Sequence, residues 1–171
     1  MKIQYLGVCG TGPISRSIQW QTRSEISHTA ILNPDTKEVI EALAHVPGDP
    51  WWATGRVVKR PLRAYPLDTA CFIYESNRLE FNHQSAWALA ESLVGVPYDY
   101  VGVFRFVSRK GHDFEDVQRW FCSEAATVVS RVGGDQVQHL PAWGVSPKLH
   151  AASSDHTIPR LTTVEEILDA S

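Results

Sequence analysis

Cysteine is scarce in this chain: 171 residues hold three, at positions 9, 71 and 122. An odd number set far apart, with no Cys-x-x-Cys or His-x-x-x-His spacing, supports neither a disulfide framework nor a zinc site. No apolar run approaches the ~18 residues of a membrane span. An excess of charge of one sign is missing too. A net charge of -3 and a pI near 6.1 give no global attraction to nucleic acid or to an anionic membrane, so no nucleic-acid partner is expected. Arg56, Lys59, Arg60 and Arg63 form the only tight basic group, and a solvated strand edge explains them better than a phosphate site. Leu6-Gly7-Val8-Cys9 looks a little like the end of a lipoprotein signal, but the stretch before it is far too short and contains Lys2 and Gln4. Residues 2–8 therefore read as a strand and Cys9 as a buried thiol, with the cytoplasm of the producing cell as the expected location.

What is present fits an ordinary globular protein. Apolar residues make up 43% and charged residues 20%, and six Trp, five Tyr and six Phe argue against disorder. One domain over residues 1–171 is expected, with no internal repeat or linker. Strands are predicted over Lys2–Val8, Ser27–Leu32, Glu38–Ala44, Gly55–Pro61 and Asp68–Glu75, rich in Val, Ile, Phe and Tyr. Ile14–Thr22 reads as a short helix. Asn82 is placed to cap a helix through Leu93 that Gly95 and Pro97 stop. Between Asp113 and Val132, Val117, Phe121, Ala125, Val128 and Val132 recur at steps of three and four, until Gly133-Gly134. A last short helix is expected near Thr163–Ala170. Strands first and helices second, with short turns between adjacent strands, imply an α+β fold with an antiparallel sheet.

Thiol catalysis needs a populated thiolate, a base beside it and a third group that fixes the base's tautomer. If a helix starts near Cys122 in Trp120-Phe-Cys-Ser-Glu-Ala-Ala126, the thiol sits at its positive end, and the Cys122 N–H can serve half of an oxyanion hole. This segment alone reads more simply as a buried cysteine on an amphipathic helix. His28 and Glu41 change the balance. Ser27-His-Thr-Ala-Ile-Leu32 and Glu38-Val-Ile-Glu-Ala-Leu43 form a hairpin through Asn33-Pro-Asp-Thr36. A two-residue loop sets Glu41 directly opposite His28, but Pro34 cannot take the positive φ such a turn prefers. A four-residue loop makes the two diagonal neighbours. Both registers share one sheet face, with Cβ atoms roughly 5–8 Å apart. A three-residue loop without a bulge would separate them.

Three segments, spanning roughly residues 14–130, resemble the circularly permuted branch of the NlpC-type papain-like superfamily. That branch includes the YiiX-like proteins and, more distantly, the lecithin:retinol acyltransferase relatives. The segments are Ile14 to Ile31 with its Ser27-His28 strand, Val39-Ile-Glu41-Ala-Leu43, and Gly95-Val-Pro-Tyr98-Asp-Tyr100 followed by Phe121-Cys122-Ser-Glu124. His28 precedes Cys122, as the permuted order requires. The resemblance implies a papain-like fold with the nucleophile at a helix N-terminus. It assigns Cys122 as nucleophile, His28 as base and Glu41 as the orienting residue, and it brings Tyr98 near the thiol as a substrate-binding residue. A plain packing role for Tyr98 is an equal alternative. Glu124 is expected to serve only the helix dipole and to point away from the sulfur. Trp51, Trp52, Trp120 and Trp143 are candidates to wall a groove, although Trp more often anchors packing. The implied reaction is acyl transfer to water from a cell-wall peptide amide, an acyl-amide or a lipid ester, with no metal or organic cofactor. An acyltransferase and a non-catalytic module of the same fold are the rivals. Residues 133–154 resemble nothing recognisable.

Overall fold

The computed structural model describes residues 2–101, 103, 120–137 and 140–170. Six strands form one antiparallel sheet: β1 (Gln4–Val8), β2 (His28–Asn33), β3 (Glu38–Leu43), β4 (Arg56–Pro61), β5 (Ala70–Tyr74) and β6 (Arg160–Thr163), in the spatial order β4-β3-β2-β1-β5-β6. Among the described residues the α-helices are α1 (Pro13–Thr22), α2 (His83–Ser92), α3 (Cys122–Gly133), α4 (Pro147–Ala151) and α5 (Val164–Asp169). The α+β class and the antiparallel sheet agree with the sequence reading.

The β2–β3 turn takes the longer of the two loops the sequence left open. Ile31 faces Ile40 and Asn33 faces Glu38, which leaves four residues in the loop. Asn33 shapes it: its Oδ1 accepts the N–H groups of Asp35 at 3.0 Å and Thr36 at 3.3 Å. Lys37 closes the turn at φ 55° and donates its ammonium to the carbonyls of Ile167 and Ala170, each at 2.9 Å. The turn is thereby tied to the C-terminal end of α5, where a cation is favourable.

Alternation along the strands gives the sheet two covered faces. One presents Tyr5, Ile31, Ile40, Val57 and Tyr74 to α2 and α3. The other presents Leu6, Ala30, Leu32, Val39 and Cys71 to Leu62, Val164 and Ile167. Asn82 caps α2 as expected, its Oδ1 accepting the Ser85 N–H at 2.9 Å. α3 begins at Cys122 rather than running on from residue 113. Phe121 is its extended N-cap, and Val117 lies outside the described residues. β6 was not anticipated, because four residues at a sheet edge, with Leu161 61% exposed, carry no clear two-residue period. Cys9 is only half-buried rather than enclosed.

The segment that leads into α2 presses so closely on the end of α3 that a side chain at Gly133 has nowhere to go. A Cβ there would lie 2.2 Å from the Phe81 ring, which is 7% exposed. Alanine favours a helix over glycine by up to about 1 kcal/mol, whereas overpacking a core costs about 1–3 kcal/mol. Gly133→Ala should therefore lower the thermal midpoint, and Phe81→Leu added to it should recover part of the loss. A Gly133→Ala protein as stable as wild type would show that the two are not locked at this point.

Candidate active site

β1 and β3 end, and β2 begins, at the same edge of the sheet, and a cavity of about 240 Å³ opens there. Its walls include Val8 from β1, Ile14 and Ile18 from α1, and Leu43 from β3, while His28, Tyr98 and Cys122 reach it from three separate elements. The wall made by α1 is anchored loosely, with only Ile18 buried in that helix. The Gln19 side-chain amide holds it by donating to the carbonyls of Gly10 at 3.0 Å and Glu25 at 2.8 Å.

Cys122 is the first residue of α3 and is 4% exposed. α3 packs on the first sheet face, so its N-terminus arrives at the sheet end beside the start of β2. Burial would raise the thiol, but the neighbouring His28 imidazolium, together with the backbone N–H groups of Thr29 and Ser123, outweighs it and lowers the thiol below its usual range. His28 moves the other way. Burial would lower it, yet the charge and hydrogen bond of Cys122, reinforced by Glu41, push it up to about 10. The two shifts are opposed because each group favours the charged form of the other.

Glu41 completes the row. His28 Nε2 lies 2.6 Å from Glu41 Oε2, and the Glu41 side chain is wholly buried. In the four-residue-loop register these residues are diagonal neighbours, on the same side as Ala30, Leu32 and Val39. Two further partners were missed in the sequence. Arg60 Nε donates to Glu41 Oε1 at 2.6 Å, and the Tyr65 hydroxyl donates to Oε2 at 2.5 Å. The Arg60 guanidinium also sits 4.3 Å above the Tyr65 ring. Burial alone would push the Glu41 carboxyl up; His28, then Arg60 and Tyr65, outweigh it and hold it below its usual range. Arg60 therefore does not belong to a solvated strand edge. It faces Val39 in register, which puts it on the Glu41 side of β4, a parity the basic cluster masked.

Tyr98 lines the cavity and is 5% exposed. Its N–H donates to the Gly55 carbonyl at 2.8 Å, and Trp120 N–H donates to Pro97 at 3.1 Å. Gly55 permits this approach, since a Cβ there would lie 2.2 Å from the Leu43 carbonyl oxygen. Burial, with the Cys122 charge second, raises the Tyr98 phenol, so it remains protonated beside the thiol. Glu124 is buried at 3% exposure, its Oε2 3.5 Å from the Phe121 N–H, so it caps the first turn of α3. None of the four tryptophans lines the cavity. Trp51 and Trp52 are 85% and 71% exposed, Trp120 is buried, and Trp143 packs against the core.

The C-terminal third supplies a polar layer behind the site that the sequence did not reveal. His150, fully buried on α4, joins the Tyr74 hydroxyl at 2.9 Å to Ser130 Oγ at 3.2 Å. His156 lies 3.2 Å from Asp135, which accepts the Ser76 hydroxyl at 2.6 Å.

No protein-family model matches the chain, and no curated protein does. Its fold does have a solved counterpart. The chain is similar to the crystal structure of YiiX, described as a metalloprotein, from Escherichia coli O157:H7. The TM-score is 0.64 and the identity 18%, covering 95% of this chain and 96% of that one. The fold is YiiX-like.

The three thiols should be chemically distinct. Burial, with a minor push from Cys9, raises Cys71 to about 11, and burial with Glu25 raises Cys9, whereas Cys122 is lowered. Iodoacetamide at pH 7 should therefore alkylate Cys122 first, as read by peptide mass spectrometry. The rate should fall on acidification as the thiolate takes a proton. On the alkaline side it should change again near pH 10, as His28 loses its own. Labelling of Cys9 or Cys71 ahead of Cys122 would contradict the electrostatics of the site.

Proposed function

We propose that this chain is a cysteine hydrolase of circularly permuted, papain-like type, with Cys122 as nucleophile, His28 as base and Glu41 orienting the base. The observation that carries this reading is geometric: Cys122 at a helix N-terminus and His28 line one cavity, with a buried carboxylate 2.6 Å from the imidazole, and the opposed shifts of thiol and imidazole support it.

The Cys122 thiolate attacks the carbonyl carbon of an ester or amide, forming a C–S bond and a tetrahedral oxyanion. The Cys122 N–H and the positive end of α3 stabilise that charge. The C–O or C–N bond then breaks, and His28 passes its proton to the departing alcohol or amine. Water next gives a proton to His28 and attacks the thioester, and C–S cleavage releases the acid and restores the thiolate. Glu41 holds the imidazole through Nε2, leaving Nδ1 for the thiol side. Tyr98, kept neutral, is a donor positioned for the substrate.

The lining favours an acyl-lipid or other apolar acyl group over a charged cell-wall peptide. Among the described residues it presents Val8, Ile14, Ile18 and Leu43 but no Lys or Arg, and its one carboxylate is already engaged. An acyltransferase would use the same acyl-thioester, with an amine or alcohol in place of water. The metal in the description of the YiiX neighbour finds no fitting donors here: among the described residues no group of three or more His, Cys, Asp or Glu is arranged to hold an ion. Among those residues no helix is long and apolar enough to cross a membrane.

A panel of short-chain and medium-chain acyl esters, acyl-amides and cell-wall peptides tests the assignment. Cys122→Ala and His28→Ala should each remove nearly all turnover, about 10³-fold or more, and the double variant should be no worse, because the two act as one unit. Glu41→Gln should be milder, since its amide oxygen still accepts the imidazole N–H while the charge is lost. Glu124→Gln should leave turnover within a few-fold. Unchanged turnover in Cys122→Ala on every substrate that wild type cleaves would sink the assignment.

A further inference from the structure

Four charged groups run in alternating sign through the buried site: Cys122, His28, Glu41 and Arg60. Arg60 does not line the cavity; it reaches it through Glu41, by the 2.6 Å bond from Nε to Oε1, and through Tyr65, which does line it. Its side chain is only 16% exposed, and its plane rests 4.3 Å over Tyr65, whose hydroxyl takes the other carboxylate oxygen. Resting on the thiol–imidazole reading above, we propose that Arg60 is a positioning residue that balances the charge of Glu41, leaving His28 held in place yet free to release its proton to the leaving group.

The argument is electrostatic and geometric. A buried carboxylate beside an imidazole does two things: it fixes the ring, and it pins the ring in its cationic form. A general acid–base needs the first and is slowed by the second, because a firmly held proton is a poor donor. A permanent cation on the far oxygen separates the effects. The Glu41–Arg60 pair is nearly neutral seen from the imidazole, while Oε2 still accepts its N–H. Tyr65 adds to this by sharing Oε2, and burial keeps its phenol protonated and donating. Without Arg60 the row would carry one net negative charge in a dry site, and every proton near it would be held more tightly. Among the described residues the groups that face the row are Tyr98 on the cavity side and Tyr74 on β5, both raised and therefore neutral.

The pH dependence of Cys122 alkylation reads this directly, with no substrate required. Arg60→Met should move both limbs of the profile to higher pH, by about half a unit or more, as removal of a cation demands. Arg60→Lys should return them towards wild type. Arg63→Met, one exposed cation removed from the same segment, should leave both limbs in place. If Arg60→Met does not fold, Tyr65→Phe carries the test: its alkaline limb must move up while the protein keeps wild-type circular dichroism. A titration of the His28 ring by nitrogen-resolved NMR assigns that limb. Folded Arg60→Met or Tyr65→Phe protein with unmoved limbs would show that the clamp is merely structural and overturn the inference alone. A wild-type profile in which Cys122 ionises no earlier than Cys9 would instead overturn the thiol–imidazole reading, and the inference with it.

Discussion

Burying the Glu41 carboxylate sets the conditions that much of this fold then meets. A buried carboxylate without partners costs several kcal/mol, so it must be supplied with donors that hold their places. Three arrive from three directions: His28 across the hairpin, Arg60 across the next ladder, and Tyr65 from the turn after β4. Each depends on register. A one-residue slip of β3 against β2 would send Glu41 to the opposite face, beside Ile31 and away from His28, Arg60 and Tyr65. The apolar residues that alternate with the charged ones, Ala30, Leu32 and Val39, thus do more than fill a core. They fix the register that keeps a charge satisfied.

The thiol depends on a second constraint, the position of a helix end. α3 lies across one sheet face while His28 and Glu41 belong to the other, and the two sides meet only where the strands run out. Cys122 reaches His28 because α3 begins at that edge, and the backbone of Thr29 meets the sulfur as β2 starts. Behind the helix, Ser130 is tied to His150 and thence to Tyr74 of β5. Ser130, His150 and Tyr74, all buried and partnered, set the height of α3 above the sheet with a specificity that apolar packing alone does not give.

Much of this was legible in the sequence, and the reasons it was or was not are physical. The hairpin was readable because alternation and the Asn33-Pro34 turn signal are local, and a loop of two or four residues then placed His28 on one face with Glu41. The helix start at Cys122 was only a condition of the residue-level reading and came from the family resemblance, since the periodic stretch before it invited a longer helix. Arg60 was misread because a cluster of Arg and Lys looks solvated; the signal against that was its two-residue offset from Val58, which makes it a neighbour of Glu41 once β3 and β4 are paired. His150, His156 and Asp135 gave no warning. They lie in short turns and a five-residue helix, and their partners are scattered from Tyr74 to Ser130. No sequence period encodes contacts of that kind.

The order of the chain has a consequence for how the molecule comes into being. His28 and Glu41 are thirteen residues apart and joined by one tight turn. Contacts of that sort form early and need little loop closure. Cys122 follows His28 by 94 residues (122 minus 28), and β6 joins β5 from roughly as far away along the chain. During synthesis the hairpin with its charge clamp can be complete while the thiol is still on the unfinished side. The sulfur meets its partner only when the last third of the chain docks. A chain cut short before then would carry His28 and Glu41 without the thiol, so the proposed centre is a late product of folding and reports that α3 has docked.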